Sequence, residues 1–339
     1  MSTQAEHRLK PELLDTFLAP YGLNRTGLEF LGYSQNYVYS CRRDTGRCIL
    51  RVSQGRYRTK TQVEAELAWI RFLSSRGVNV CQPIPTMTGE SCLEFTLDAD
   101  RYILTCFEHA PGRRLSPQEI GAPHYFKLGQ LLGQMHTQST AFIPGSETVA
   151  RPQWYDSRLL RQDIVNHREN LPERFCESVS ELLQQLQQLP TSSTTYGLIH
   201  GDVSFNNCFL DANDLWLFDF DNCEYGHFLQ DLATVLYDTI YCRSLNKFAD
   251  PGLDDRIASL WKPFWSGYET TGPGQRVPPI ELKQFFLLRE AVIYIHYHRI
   301  LDVRSVNDYF RAGLEVMRSN VERQEHQIDF AAISNLSCE

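Results

Sequence analysis

Between Leu198 and Asn222 the chain reads LIHGDVSFNNCFLDANDLWLFDFDN, a run in which oxygen-bearing side chains recur at spacings that could hold a cation and move a proton. Cys208 to Leu210 and Leu215 to Phe218 read as two short apolar strands, and Asp211, Ala212, Asn213 and Asp214 between them favour a turn. Closing that hairpin sets 210 beside 215. Asn207 then falls near Phe218 or Asp219, since neighbouring strands lie about 4.8 Å apart. Asp202 leaves the end of the strand LIHGD and can reach the same mouth. An amide oxygen and carboxylates gathered this way are hard donors that suit Mg²⁺, which takes one or two protein carboxylates and completes its shell with water and phosphate oxygens. On this reading Asn207 and Asp219 hold the metal, and Asp202, kept free of it, accepts or orients the proton of an attacking hydroxyl. Taken singly, each of the three could instead cap a turn.

Elements on either side must position these groups. From Leu28 to Val52 the pattern is that of strands: YVYS and CILRV are rich in β-branched and aromatic residues, and RRDTG between them forms a turn that ends in Gly46. Val63, Leu67, Ile70 and Leu73 then recur every three or four residues, which predicts a helix over Gln62 to Arg76 closed by Gly77. RYILTCFE returns to strand character, and HAPGRRLSP is a loop. Beyond residue 110 the period becomes helical: Leu128, Leu131, Leu132 and Met135, then Val179, Leu182, Leu183 and Leu186, then Phe285, Leu288, Val292 and Ile295. The chain therefore reads as an antiparallel sheet with one helix, followed by a mostly helical region interrupted by the 198–225 segment.

Composition narrows the function classes. With 339 residues, 42% hydrophobic and 22% charged, the chain has ample material for buried cores. The first ten residues are polar, and no run reaches the roughly 18 apolar residues of a membrane helix, so a cytoplasmic protein with no membrane partner is expected. The ten cysteines form no CxxC pair and read as reduced, packed thiols. A net charge of -8 argues against wholesale nucleic-acid binding. Its distribution is uneven. Residues 201–260 hold eleven acids against three bases, whereas residues 41–60 hold seven bases (Arg42, Arg43, Arg47, Arg51, Arg56, Arg58 and Lys60) against Asp44 alone. The basic segment could meet phosphate and the acidic one a metal or a cationic ligand; two unrelated solvated faces would give the same counts.

The 200–221 run resembles the signature of the aminoglycoside phosphotransferase and choline kinase-like family, HGDxxxxN followed by a strand and a DxD-type motif. Here it is His200, Gly201, Asp202 and Asn207, then Asp219, Phe220 and Asp221, with Gln230 to Ala233 matching a structural Asp-Leu-Ala. The resemblance runs over nearly the whole chain and looks closest to the bacterial homoserine kinase-like and stress-response kinase-like branches. It implies a bilobal α+β protein kinase-like fold with an N-terminal nucleotide lobe over 1–107, a hinge at 108–112 and a catalytic, substrate-binding helical lobe over 113–339. It also implies Mg²⁺ and ATP or GTP as co-substrate, with transfer of the γ-phosphate to a hydroxyl of a small molecule, aminoglycoside-, choline- or homoserine-like; the acidic 201–260 segment adds the expectation that this molecule bears an amine. The alternatives are a Ser/Thr protein kinase of the stress-response type and a catalytically silent nucleotide-binding module.

Within that resemblance the remaining residues take expected roles. Arg51 stands where the family has a strand lysine, and its fork can grip phosphate with two donors. Glu66 shares a helical stripe with Ile70 and Leu73, so it faces inward and needs a partner, for which Arg51 is the candidate; Glu64 faces elsewhere. Ser34 and Asn36, in the turn GYSQNYVY, would cover the phosphates, and backbone groups from Cys106 to Glu108 would bond the nucleotide base. Asp221 is open between a second metal contact, a substrate-cation contact and a group closing the hairpin end; Glu224 stands with it as a candidate for the first two. Asn206 replaces the glycine usual before the asparagine, and its tolerance of left-handed backbone would keep the turn. Ser204 stands where a histidine is common. His136 reads as a packed or capping residue and the aromatics Trp261, Phe264, Trp265 and Tyr268 as core, though an aromatic wall beside an acidic rim would also suit a cationic substrate. His296 and His298, two apart on a helix, face different ways.

Overall fold

The computed structural model describes residues 9–33, 35–97, 99–143, 151–156, 164, 168–241, 253–274 and 276–337. Its contacts divide the chain into one unit of Met1–Arg113, Phe142–Arg151 and Cys208–Asp221 and a second of Arg114–Ala141, Pro152–Asn207 and Asn222–Glu339.

The first unit is built on an antiparallel sheet of β1 (Glu29–Tyr33), β2 (Asn36–Arg43), β3 (Gly46–Gln54), β4 (Pro83–Ile84), β5 (Leu93–Leu97) and β6 (Asp100–Glu108). The order is β1-β2-β3-β6-β4, with β5 also paired to β6. The expected hairpin forms, with Arg43 opposite Gly46, and alternation buries Cys48, Leu50 and Val52 of β3 with Leu104 and Cys106 of β6 in the sheet core. Helix α1 (Pro11–Leu18) adds Phe17 and Leu18 to that core. Helix α2 (Lys60–Ser75) starts where Thr59 and Gln62 bond reciprocally, side chain to backbone, satisfying two N–H groups that a helix start otherwise leaves without partners. Val63, Leu67, Trp69, Ile70 and Leu73 on one stripe are buried, and Glu66 lies within it. The strands β8 (Cys208–Asp211) and β9 (Asp214–Leu217) form the second expected hairpin with Leu210 opposite Leu215. Contacts group this hairpin with the first unit: Leu217 N–H donates to Asn79 O (2.9 Å) and Leu210 exchanges backbone bonds with Arg113.

The second unit is mostly helical, with α3 (Ala122–Ser139), α4 (Glu173–Gln187), α5 (Phe228–Tyr241), α6 (Leu253–Glu269), α7 (Pro279–Ile300), α8 (Asp308–Arg323) and α9 (Phe330–Asn335). The periodic stripes read in the sequence fall on α3, α4 and α7. Helices α3 and α6 approach so closely that a Cβ on Gly129 would lie 1.9 Å from the Phe264 carbonyl oxygen, so only glycine fits. Trp261, Phe264, Trp265 and Tyr268 are buried on α6. A two-stranded ribbon of β7 (Tyr196–Ile199) and β10 (Glu224–His227) pairs Ile199 with Glu224 and carries the segment that follows it. Among the described residues no helix is long and apolar enough to cross a membrane, and the cysteines are free and buried.

A buried carboxyl ties three helices of the second unit together. Glu290 on α7 is fully buried; it accepts from Tyr241 Oη on α5 (2.8 Å) and from Asn320 Nδ2 on α8 (3.3 Å to each oxygen), with His326 Nε2 at 3.9 Å. Burial pushes its carboxyl up to about 8 despite those donors, and burial pushes His326 down to about 4. The folded Glu290 thus binds its proton more tightly than the unfolded chain does, a stabilising contribution complete below the unfolded value and lost as pH rises through about 8. His326 acts in the opposite sense, but only below about its ordinary value of 6.5. Stability should therefore fall by on the order of 2 kcal/mol between about pH 6.5 and 8. Urea unfolding across that range is expected to show this slope in the native sequence and a flat response in Glu290→Gln.

Candidate active site

In the second unit, β7 delivers its last residue, Ile199, into the turn His200–Gly201–Asp202. Gly201 has φ +77°, and a Cβ there would meet Asn222 O at 2.5 Å, so the motif glycine is required by both backbone and space. The turn is fixed by a carboxylate from α5. Asp231, fully buried, accepts from His200 N–H on Oδ2 and from Gly201 N–H on Oδ1, each at 2.8 Å. Its Oδ2 also receives His136 Nε2 from α3 at 3.2 Å. Since a carboxylate only accepts, that nitrogen carries the hydrogen, and His136 Nδ1 takes the Tyr268 hydroxyl at 2.8 Å. Burial lowers the His136 pKa, so the ring is neutral in this arrangement. His136 is thus a packed residue, as its sequence position suggests, and Asp231 is the structural aspartate of QDLA.

Asp202 follows on the same turn, its N–H given to His200 Nδ1 (3.2 Å). Asn207 closes a short 3₁₀ turn, Phe205–Asn207, and its Nδ2 donates to Asp202 O (2.9 Å) and Oδ2 (3.2 Å). That use of the amide nitrogen leaves the Asn207 oxygen as the group it can offer a ligand. Asp202 Oδ1 is held by Arg289 Nη2 from α7. Burial opposes ionisation of Asp202, but Arg289, and after it His200 and Asn207, hold its carboxyl below the usual carboxylate range. The sequence reading missed Arg289; its one signal is a lone Arg-Glu pair inside the apolar run FFLLREAVIYI. One expectation is overturned. Asn206 does not adopt left-handed backbone, because the 3₁₀ turn keeps φ negative there and Ser204 Oγ accepts its N–H (3.2 Å). Glu224, nearly buried on β10, accepts from Gln230 Nε2 at 3.0 Å. His296 and His298 bond separately, to Arg299 and to Tyr294 O.

In the first unit, β3 places Arg51 opposite Val38 and Thr105. The guanidinium is buried and bidentate on Glu66, at 2.8 and 2.9 Å, with Nε on Thr105 Oγ1 at 3.2 Å. The inward stripe position of Glu66 has therefore found the partner expected for it, while the half-buried Glu64 pairs with Lys60. Three of the five guanidinium hydrogens are spent in this way, which leaves one further hydrogen on each terminal nitrogen. Burial works against the charge, but Glu66, Asp221 and Asp219 keep Arg51 firmly protonated.

The turn after β9 separates the two aspartates of DFD. Phe220 is buried edge-on against Trp69 of α2, with ring centroids 5.3 Å apart. Asp219 is exposed with φ +65°, a left-handed geometry that costs a non-glycine residue about 1–2 kcal/mol. Asp221 is buried beneath three guanidiniums: Arg58 Nε is 3.3 Å and Arg51 Nη1 3.9 Å from its Oδ1, and Arg151 Nη2 reaches its backbone oxygen at 2.5 Å. Burial would raise its pKa, but Arg58, Arg51, Arg151 and then Asn36 hold it well below the ordinary carboxylate value. Arg58 was counted in the basic 41–60 segment but given no partner, and Arg151 carried no signal in the sequence. Asn36 is buried, bonds Asp221, and keeps Oδ1 without a partner among the described residues. Ser34 lies outside the described residues. Cys106 sits inside the sheet between Leu50 and Ile84, and Glu108 N–H is donated to Gln82 O at 2.8 Å.

Among the described residues no group of three or more His, Cys, Asp or Glu side chains gathers as a metal cluster. The donor chemistry of Asn207 and Asp219, hard oxygens in small number, fits Mg²⁺ and not a softer ion.

Comparison with known proteins adds four findings. Residues 28–268 match the model of the phosphotransferase enzyme family. The chain is 25% identical over 323 residues to amicoumacin kinase of Bacillus subtilis (strain 168), covering 92% of this chain and 91% of that one. Among solved structures it is similar to an amicoumacin kinase in complex with AMP-PNP, Ca²⁺ and Ami (TM-score 0.86, 24% identity, 98% and 99% of the two chains). It is also similar to a microcompartment-associated aminopropanol kinase (TM-score 0.68, 20% identity, 92% and 95%).

The buried pair in the first unit makes a direct prediction. Glu66→Ala, which leaves Arg51 charged and unpaired, should cost about 3–5 kcal/mol in urea unfolding, and replacing both residues by methionine should recover most of it.

Proposed function

The chain belongs to the phosphotransferase enzyme family and is a kinase of protein kinase-like α+β fold, and from that premise we propose that it transfers the γ-phosphate of ATP or GTP to a hydroxyl of a small, amine-bearing molecule. The observation that carries the proposal is Asp202: ionised, braced on both carboxylate oxygens, and standing on a turn whose backbone Asp231 fixes. Such a carboxylate accepts and orients a hydroxyl proton without having to move, the positioning on which phosphoryl transfer relies.

The other roles follow from donor chemistry. Arg51, held square by Glu66, would offer its two further N–H groups to phosphate oxygens. Asn36, whose side-chain oxygen has no partner among the described residues, would meet the phosphates from the start of β2, and backbone groups of the 106–108 stretch other than Glu108 N–H, which Gln82 O already accepts, would bond the base. We assign the metal to Asn207 and Asp219; when bound, Mg²⁺ supplies charge neutralisation on the transferred phosphate. Asp221 is better read as the counter-charge of Arg51, Arg58 and Arg151 than as a metal or substrate contact, since those guanidiniums already occupy it.

Amicoumacin kinase and aminopropanol kinase, to which this chain is similar, support an amino alcohol or an aminated antibiotic as acceptor. They also correct the branch: the likeness runs to amicoumacin kinase and not to the homoserine kinase-like proteins that the motif suggested. The AMP-PNP and Ca²⁺ held by the solved relative support the nucleotide and the divalent ion. Free, buried cysteines agree with a cytoplasmic setting.

Asp202→Asn should retain nucleotide affinity by calorimetry and lose on the order of 10²–10⁴-fold in turnover, measured on a panel of amino alcohols and aminoglycosides with Mg²⁺. Turnover at the native level in that variant would refute the assignment.

A further inference from the structure

Of the two groups that brace Asp202, Arg289 is the charged one and acts on it most strongly. We infer that Arg289 is a positioning residue for phosphoryl transfer, aiming the Asp202 carboxylate at the acceptor hydroxyl; the inference rests on the phosphotransferase reading above.

A carboxylate offers two oxygens and about four acceptor directions. Asn207 takes one on Oδ2 and Arg289 one on Oδ1, so the remaining directions serve an incoming hydroxyl and the guanidinium does not block it. Without Arg289 the Asn207 amide alone sets the carboxylate plane, and the terminal torsion of aspartate is broad and roughly two-fold. One hydrogen bond at 3.2 Å is a weak restraint on such a torsion.

Arg289 is itself well fixed. Its neighbours Phe286, Leu288 and Ala291 on α7 are buried, and Glu290 beside it is tied to α5 through Tyr241 and to α8 through Asn320. Burial works against its charge, while Asp202, and then Tyr237 and Asp238 on α5, hold it protonated. The contact to Asp202 is made by Nη2 alone. Nε is buried and has no hydrogen-bond partner among the described residues. Because a single donor does the work, a lysine ammonium should reproduce much of it. That would not hold for a bidentate fork.

The test uses the full chain with Arg289→Gln, Arg289→Lys and Asp202→Asn, singly and combined, on whichever acceptor of the panel the wild type phosphorylates. Arg289→Gln should lower kcat about 10–100-fold and leave the KM for nucleotide unchanged. Arg289→Lys should recover most of the loss, and Arg289→Gln should cost nothing further in the Asp202→Asn background. Losses that multiply in the double variant, or a lysine no better than glutamine, overturn the inference. Thermal unfolding of the same set reads the pair without activity: the Tm loss of Arg289→Gln should shrink when Asp202 is already asparagine, and additive losses deny the pair. Coupled melting in a wild type that transfers no phosphate would refute the phosphotransferase reading while leaving the contact standing. Phosphate transfer unaffected by Arg289→Gln would refute the positioning role alone.

Discussion

The turn that carries Asp202 depends on one buried carboxylate. Asp231 has no exposure to solvent and exchanges its hydration for two backbone N–H groups and an imidazole N–H. Taking a carboxylate out of water costs several kcal/mol unless its lone pairs are filled, and here they are filled by the groups that must be held still. The gain is positional. His200 and Gly201 cannot shift without breaking a charge-assisted bond, and Asp202 is the next residue. The chain of contacts continues outward through neutral His136 to the Tyr268 hydroxyl, so α3, α5 and α6 meet on the same aspartate.

The first unit solves a related problem in another way. Arg51, Arg58 and Arg151 are all nearly buried, and Glu66 and Asp221 supply the negative charge that makes them tolerable. The strand arginine differs from a lysine in what this permits. Its planar fork meets both Glu66 oxygens and still keeps a hydrogen on each terminal nitrogen, whereas an ammonium would have to choose. The cost is rigidity, since a guanidinium fixed at Nε, Nη1 and Nη2 can serve phosphate only from one direction. The DFD turn shows the same economy of place: Phe220 packs on Trp69, and its two flanking aspartates are thereby separated into an exposed one and a buried one.

Much of this was readable in the sequence because it rests on local rules. The two hairpins follow from turn residues between apolar runs, and the inward position of Glu66 follows from helical spacing with Ile70 and Leu73. The HGD turn was legible as a motif, and its glycine answers to both a positive φ and a close approach of Asn222 O. What was not readable depends on distance along the chain. Arg289 meets Asp202 across 87 positions and Arg151 meets Asp221 across 70, and nothing in the spacing of either arginine marks its partner. The left-handed residue was placed wrongly for a local reason. Asn206 could have taken that conformation, but Ser204 caps a 3₁₀ turn there, and the strain falls on Asp219 instead. Helix α1 went unnoticed because its eight residues give the apolar positions Leu13, Leu14, Phe17 and Leu18 only about two turns in which to show a period.

The claim that Asp231 holds the turn that presents Asp202 is tested most directly by amide hydrogen exchange at His200 and Gly201, compared between the native chain and Asp231→Asn. An asparagine cannot accept both N–H groups, so the two amides should exchange at least about 100-fold faster in the variant while those of the β2–β3 ladder keep their native rates. Unchanged protection at His200 and Gly201 would contradict the account.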